Sequence, residues 1–381
     1  MTYAGSERVV EQLLAMFPQA DVFSLIDFLR PSDRRFLGGK RVTTSFLQQM
    51  PLARRLYAAY LPLMPLAIEQ LDLSGYDLVL SSSHCVAKGV LTGPDQLHIS
   101  YVHTPMRYAW DAQHEYLASS RFGRGVRGWL ARWMLHKLRI WDARTAAGVD
   151  SFVANSRFIA RRIWKTYRRT AEVIYPPVDT EAFGLCEQRE DYYVTASRLV
   201  PYKRVDLLVD AFGRMPDKRL IVVGDGPELR PLRARAGRNV SLVGYQEFDS
   251  MRDHVARARA FLFASREDFG IVLVEAQASG TPVIAFGQGG ALETVRGLDG
   301  PTPTGHFFRD QTVDAVVDAV RTFEHESYRI QPAECRTNAL RFGVERFQRE
   351  FYRHTLAQIS AFRSPAESLP ESASTQPLRA A

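Results

Sequence analysis

Apolar positions along this chain keep two rhythms, and the rhythms alternate. Residues 7–17, E-R-V-V-E-Q-L-L-A-M-F, carry apolar side chains at helical spacing. Short apolar runs of strand length follow at 20–25, 76–81 and 98–102. An Arg-rich helical stretch is expected over 121–147, then a short strand over 151–154. Ser156 offers a capping oxygen to a basic helix over 157–167. A strand at 172–175 runs into Pro176-Pro177.

Two successive prolines stop regular structure and stiffen the connection, so the chain is expected to divide there. Beyond them strands are predicted at 192–196, 220–223, 240–243, 260–264 and 282–285, with helices between them. Such alternation predicts an α/β fold with a parallel sheet covered on both faces. The expected units are 1–176 and 177–336. A closing helix at 337–362 should pack back toward the first unit, and a tail at 363–381, rich in Ser, Pro and Ala, is expected to be disordered.

A length of 381 residues suits two domains, each with its own core. Neither an apolar run of about 18 residues nor a signal-peptide pattern is found, which predicts a cytoplasmic protein without a membrane span. Cys85, Cys186 and Cys335 lie far apart without ligand spacing, as expected of inert thiols in a reducing compartment. The net charge of +7 suits a phosphorylated ligand, an anionic membrane or a nucleic acid. No nucleic-acid module is present, so that partner is set aside.

The candidate chemistry sits at strand ends. Glu267 to Glu275, E-D-F-G-I-V-L-V-E, places two carboxylates where a strand gives way to a helix. Ligands of open α/β sheets bind at that edge, and a helix start offers N–H groups to an anion. Ser197 to Arg204, S-R-L-V-P-Y-K-R, brings Arg198 and Lys203 to the same edge, able to grip a diphosphate. Val223 to Glu228, V-G-D-G-P-E, ends another strand with Gly224 and Gly226, which would let backbone approach a ligand. The third glycine of a dinucleotide fingerprint is absent. A cationic clamp with carboxylates for hydroxyls describes a nucleotide-sugar site. Tight turns, a solvated basic loop and helix-dipole stabilisation are the plainer readings of the same residues.

Taken in this order, the three stretches resemble the donor half of retaining glycosyltransferases of family GT4, with the GT-B architecture of two Rossmann-like domains facing across a cleft. That resemblance implies that Arg198 and Lys203 hold the donor diphosphate and Glu275 the ribose hydroxyls. Glu267 would face the transferred sugar. Backbone near Asp268, Phe269, Gly270 and Ile271 would meet the distal phosphate or sugar. In the first half, H-T-P-M-R-Y-A-W-D resembles O-antigen and polysaccharide mannosyltransferases. The likeness implies GDP-mannose as donor and a lipid-linked glycan as acceptor, with His103 a sugar-contacting catalytic group and Gly5, Arg107 and Asp111 on the acceptor side. His84 is a second candidate histidine.

No D-x-D occurs, and Arg198, Lys203 and a helix start can supply positive charge, so neither cofactor nor metal is expected. Basic residues interleaved with Trp129, Trp133 and Trp141 suit either a membrane interface, and hence a peripheral enzyme, or a helix packed on its own domain. Domains of this family open with an apolar strand before a Gly-rich loop. This chain is in that loop by Gly5, so a central first strand is expected to be missing. The rival readings are a UDP-sugar donor, an epimerase or phosphorylase on the same architecture, and a non-catalytic nucleotide-sugar-binding protein.

Overall fold

A computed structural model describes residues 5–119 and 125–364. Residues 1–4, Arg121 and Arg124 of the basic stretch, and the tail from 365 lie outside the described residues. Among the described residues the strands form three sheets, and every pairing is parallel.

The C-terminal sheet has six strands in the order Gly305–Phe308, Val283–Phe286, Ala260–Phe263, Tyr193–Ala196, Leu220–Val223, Val240–Gly244. Runs such as L-I-V-V, A-F-L-F and V-I-A-F are buried throughout, which a strand requires when helices cover both faces. One face packs Leu208, Phe212, Val320 and Phe323; the other packs Val255, Leu273 and Ala276. Strand order reverses at Tyr193–Ala196, whose neighbours are Leu220–Val223 and Ala260–Phe263. A crevice opens at such a switch point, between the loops that leave those strands. These are the loops bearing Arg198, Gly224 and Glu267.

The N-terminal strands divide differently from expectation. Leu78–Ser83, Leu97–Val102, Ser151–Ala154 and Glu172–Val173 form one sheet, while Val22–Ser24 pairs with Val42–Thr44 in a separate two-stranded sheet. The strand expected at 76–81 starts two residues later. Tyr76 is held outside it by a 2.6 Å hydrogen bond from its hydroxyl to Asp21, and Ser82 and Ser83 enter the sheet instead. Ser156 caps Arg157–Tyr167 as expected, accepting from the Ile159 N–H at 3.1 Å.

The closing helix is two helices, not one. Pro332–Leu340 lies against Ile271–Ala278, and Val344–Arg363 follows after a break at Phe342-Gly343. The Val178 N–H takes the Phe342 carbonyl at 3.0 Å, so the break is where the chain after Pro177 crosses under it. Val344–Arg363 then packs on the first half. Phe347 and Phe351 lie 5.9 and 6.2 Å from the Tyr101 ring, and His354 meets Ser151 at 3.0 Å. The two halves therefore share a core element. Burial pushes the Cys85 and Cys335 thiols up to about 11 and 12, so both stay protonated.

Phe351 is 1% exposed and stacks on Phe347, so Phe351→Ala is expected to cost about 3–5 kcal/mol in urea unfolding. An unchanged midpoint would show that this helix does not hold the first half together.

Candidate functional site

The Glu267 loop begins where strand Ala260–Phe263 ends. Gly270, with φ 87°, turns the chain left-handed into helix Ile271–Ala278, a conformation that glycine adopts without steric cost. A second glycine pair beds this loop. The Gly290 N–H donates to the Glu267 carbonyl at 2.9 Å, and a Cβ on Gly289 would lie 2.3 Å from that carbonyl oxygen. The F-G-Q-G-G run after strand Val283–Phe286 is thus part of the site, and its double glycine at a strand end was the available signal. The Glu267 side chain takes the Lys203 ammonium at 2.5 Å and the Ser265 hydroxyl at 3.3 Å. Lys203 and Glu267 are brought together as a pair, while Arg198 stays exposed on the neighbouring loop.

Gly224 and Gly226 lie close against a neighbouring loop. Gly224 has φ 133°, and a Cβ there would lie 1.9 Å from the Ser197 carbonyl; one on Gly226 would lie 2.3 Å from the Leu199 carbonyl. The glycines let this turn press against the loop that carries Arg198. Phe269 contributes its backbone to the loop and its side chain to the core. Its ring is buried between Tyr175 and Phe342, at 5.7 and 5.5 Å, and only its backbone faces the helix start.

Carboxylates and cations from the two halves meet here. Arg107 and Arg162 both pair with Asp268, the second at 3.3 Å. Arg162 also pairs with Asp111 and donates to the Thr104 hydroxyl at 2.9 Å, and Arg266 approaches Asp111 at 3.9 Å. Burial pushes the Asp268 carboxyl up, and the two guanidinium groups oppose it. Arg107 and Asp111 are therefore engaged in a seam between halves. Glu275, 6% exposed, takes Arg8 at 2.6 Å. A Cβ on Gly5, one turn earlier, would lie 3.0 Å from the Ile271 side chain. Glu293 receives the Arg157 and Phe158 N–H groups at 2.8 and 2.9 Å, so a carboxylate of the second half caps a helix of the first. Arg8, Arg162, Arg266 and Glu293 carried no signal in a single sequence, because each pairs with a residue of the other half more than 100 positions away.

His103 ends strand Leu97–Val102 beside the strand that carries Ser82, whose hydroxyl meets its Nε2 at 2.8 Å. The Asn155 amide holds the His103 carbonyl at 3.0 Å. Burial, then the charge of nearby His84, pushes the imidazole down to about 3, so it is neutral at pH 7. His84 itself lies one residue past its strand, open to solvent. His98 is buried between Ser81 and the Gly148 carbonyl, at 2.8 and 3.2 Å, and burial pushes it down to about 4.

Strand ends of two parallel sheets, joined by a seam of carboxylates and cations, define the class: an α/β protein of the GT-B glycosyltransferase fold. The family described as Glycosyltransferase Family 4 matches residues 3–182, and that described as Glycosyl transferases group 1 matches residues 163–342. The chain belongs to this glycosyltransferase family. It is 34% identical over 208 residues to a GDP-mannose-dependent alpha-(1-6)-phosphatidylinositol monomannoside mannosyltransferase of Mycobacterium tuberculosis, covering 46% of this chain and 53% of the relative. It is 31% identical over 197 residues to a D-inositol 3-phosphate glycosyltransferase of a Mycobacterium species, covering 44% and 45%. The chain spans about half the length of these curated relatives. Among solved structures, the Anabaena protein HepE in complex with UDP matches with TM-score 0.66 at 18% identity, covering 93% of this chain and 96% of that one. Sucrose-phosphate synthase from Thermosynechococcus elongatus matches with TM-score 0.68 at 18% identity, covering 94% of each. At that identity the likeness is one of fold.

An unfolded histidine titrates near 6.5, so between that value and the depressed folded ones the unfolded chain binds protons that His98 and His103 refuse. Stability from these groups is full above pH 6.5 and is lost as pH falls. Urea midpoints should drop between pH 7 and pH 5 by the equivalent of about 1–2 kcal/mol per histidine, and His103→Gln should remove one proton from that slope. A slope unchanged in the variant would contradict a neutral, buried His103.

Proposed function

We propose that this chain transfers a hexose with retention, mannose from GDP-mannose, to a lipid-linked glycan of the kind built in O-antigen or exopolysaccharide synthesis. The observation that carries this reading is the convergence of Glu267, Glu275, Lys203 and Arg198 on one sheet edge, against the first half of the chain. The GDP-mannose dependence of the related mannosyltransferases supports the donor.

In this reading Glu275 exchanges Arg8 for the ribose hydroxyls. Arg198 and Lys203 take the diphosphate, and the N–H groups at the start of Ile271–Ala278 face its distal phosphate. As the sugar leaves, negative charge grows on that phosphate, and these groups stabilise it more than the ground state. Glu267 holds the transferred sugar, and the neutral His103 imidazole contacts it from the other half. The acceptor hydroxyl attacks from the leaving-group side, with no protein nucleophile assigned. The cations of the loop replace a divalent metal.

An acceptor carried on a lipid places the reaction at a membrane surface, on its cytoplasmic side. No helix among the described residues is long and apolar enough to cross a membrane. Trp129 and Trp133, exposed beside Arg127 on helix Gly125–Thr145, support peripheral contact.

The function is tested by incubating the full chain with GDP-mannose, UDP-glucose or UDP-N-acetylglucosamine and membrane extract, in excess chelator. Mannose from GDP-mannose should enter the lipid fraction, and Glu267→Ala should slow this by about 100-fold or more. Consumption of a UDP-sugar alone, donor binding without turnover, or dependence on added Mg²⁺ would each contradict the corresponding part of the reading.

Arg8 gives a second test. Removing it leaves Glu275 buried without its cation, ready for hydroxyl donors. Arg8→Gln should tighten GDP binding by about tenfold in calorimetric titration, an effect of about 1.4 kcal/mol. Weaker binding would show that Arg8 helps to hold the nucleotide.

A further inference from the structure

The membrane reading rests on helix Gly125–Thr145, yet a second part of the fold carries a stronger signature. From residue 34 to residue 68 the chain has no Asp or Glu, but has Arg34, Arg35, Lys40, Arg41, Arg54 and Arg55. The composition of the whole chain, 42 acidic residues in 381, would place about four in those 35 positions. The same segment leaves Phe46, Leu52, Leu56, Tyr57, Leu63 and Leu66 exposed. Isolated exposed leucines are ordinary; six large apolar side chains within 21 residues are a patch.

The patch is built, not frayed. Leu47, Ala67 and Ile68 anchor it from below, and the Tyr60 hydroxyl closes it on the Pro51 carbonyl at 2.5 Å. Leu52 sits at its tip with φ 53° and 64% of its surface exposed. A left-handed leucine facing solvent gains nothing from packing inside this chain, and strained backbone of this kind clusters at binding sites.

The patch also joins the helix with the exposed tryptophans. The Trp141 indole N–H donates to Glu69 at 2.6 Å, and Met64, Ile68, Leu135 and Trp141 share one apolar cluster. Met106 and Ala109 of the Arg107 loop lie in that cluster too.

We propose that residues 46–66 form the principal membrane-docking surface, seating on an anionic bilayer with helix Gly125–Thr145 alongside. This rests on the membrane reading above and names the element that does the docking. Apolar tips enter the acyl boundary, while arginines extend their stems along it and keep their charge at the headgroups. The absence of acidic residues over 34–68 favours an anionic lipid surface over a protein partner, whose complementary surface would ordinarily be answered by charges of both signs. Through the shared cluster, docking bears directly on the loop that holds Arg107.

The test is co-sedimentation of the full chain with vesicles of phosphatidylcholine alone or mixed in equal parts with phosphatidylglycerol. The full chain should sediment with the mixed vesicles. Both the triple variant Leu56→Ser, Leu63→Ser, Leu66→Ser and the pair Arg54→Gln, Arg55→Gln should bind them at least about tenfold more weakly. The substituted side chains are exposed, and unchanged circular dichroism would show that the variants fold. If these variants bind normally while Trp129→Ser, Trp133→Ser does not, the proposal is overturned and the membrane reading survives. If the unaltered chain binds neither vesicle, both fail. Equal binding to the two vesicles, or a dimer in light scattering that the leucine substitutions dissolve without any vesicle binding, would also overturn it.

Discussion

Asp268 holds the centre of this molecule. Its carboxylate lies between Arg107 and Arg162, which come from the other half of the chain. A carboxylate largely removed from water is costly unless cations and hydrogen-bond donors surround it. Both arginines must therefore stay in place, and the elements that carry them are placed by that demand. Arg107 lies on the loop after strand Leu97–Val102. Arg162 projects from the helix that Ser156 and Glu293 cap together. The halves meet at the ends of their strands because that is where these charges are.

The seam is supported from behind by a buried polar network. Lys88 and Asp142 lie 2.9 Å apart as an ion pair, both essentially without solvent contact. Asp142 also accepts from the Trp110 indole at 2.8 Å and the Tyr167 hydroxyl at 3.0 Å, while Lys88 donates to the Thr145 hydroxyl at 2.8 Å. Trp110 belongs to the Arg107 loop, and Tyr167 to the Arg162 helix. One buried carboxylate thus positions both elements that reach Asp268. Such networks add specificity of arrangement more readily than net stability, since each member would be costly to strand alone.

Much of this was legible in the sequence, and the illegible parts have a common cause. The second half alternates cleanly because its four inner strands are buried on both faces between covering helices, so period and composition reveal them. The E-D-F-G stretch, the S-R-L-V-P-Y-K-R loop and the glycine turn were placed on one edge by topology alone. What the glycines contact was not legible: Gly224 and Gly226 accommodate the neighbouring loop, because close backbone approach looks the same in sequence whatever approaches. The core role of the Phe269 ring was not legible, because an aromatic beside a glycine turn suits a core and a site equally. The closing helix looked continuous because Phe342-Gly343 interrupts it only through a contact with Val178. Arg8, Arg162 and Glu293 were missed because an ion pair across a cleft leaves no spacing to read.

In the proposed function the carboxylates and cations between the halves await a nucleotide, which replaces some of these pairs and engages both halves. Hydrogen–deuterium exchange with and without GDP is the decisive measurement. Altered exchange is expected in residues 197–204 and 266–276 of the second half, together with residues 5–12 of the first, where Arg8 is released. No change in any of these segments at saturating GDP, or change confined to surfaces away from them, would contradict it.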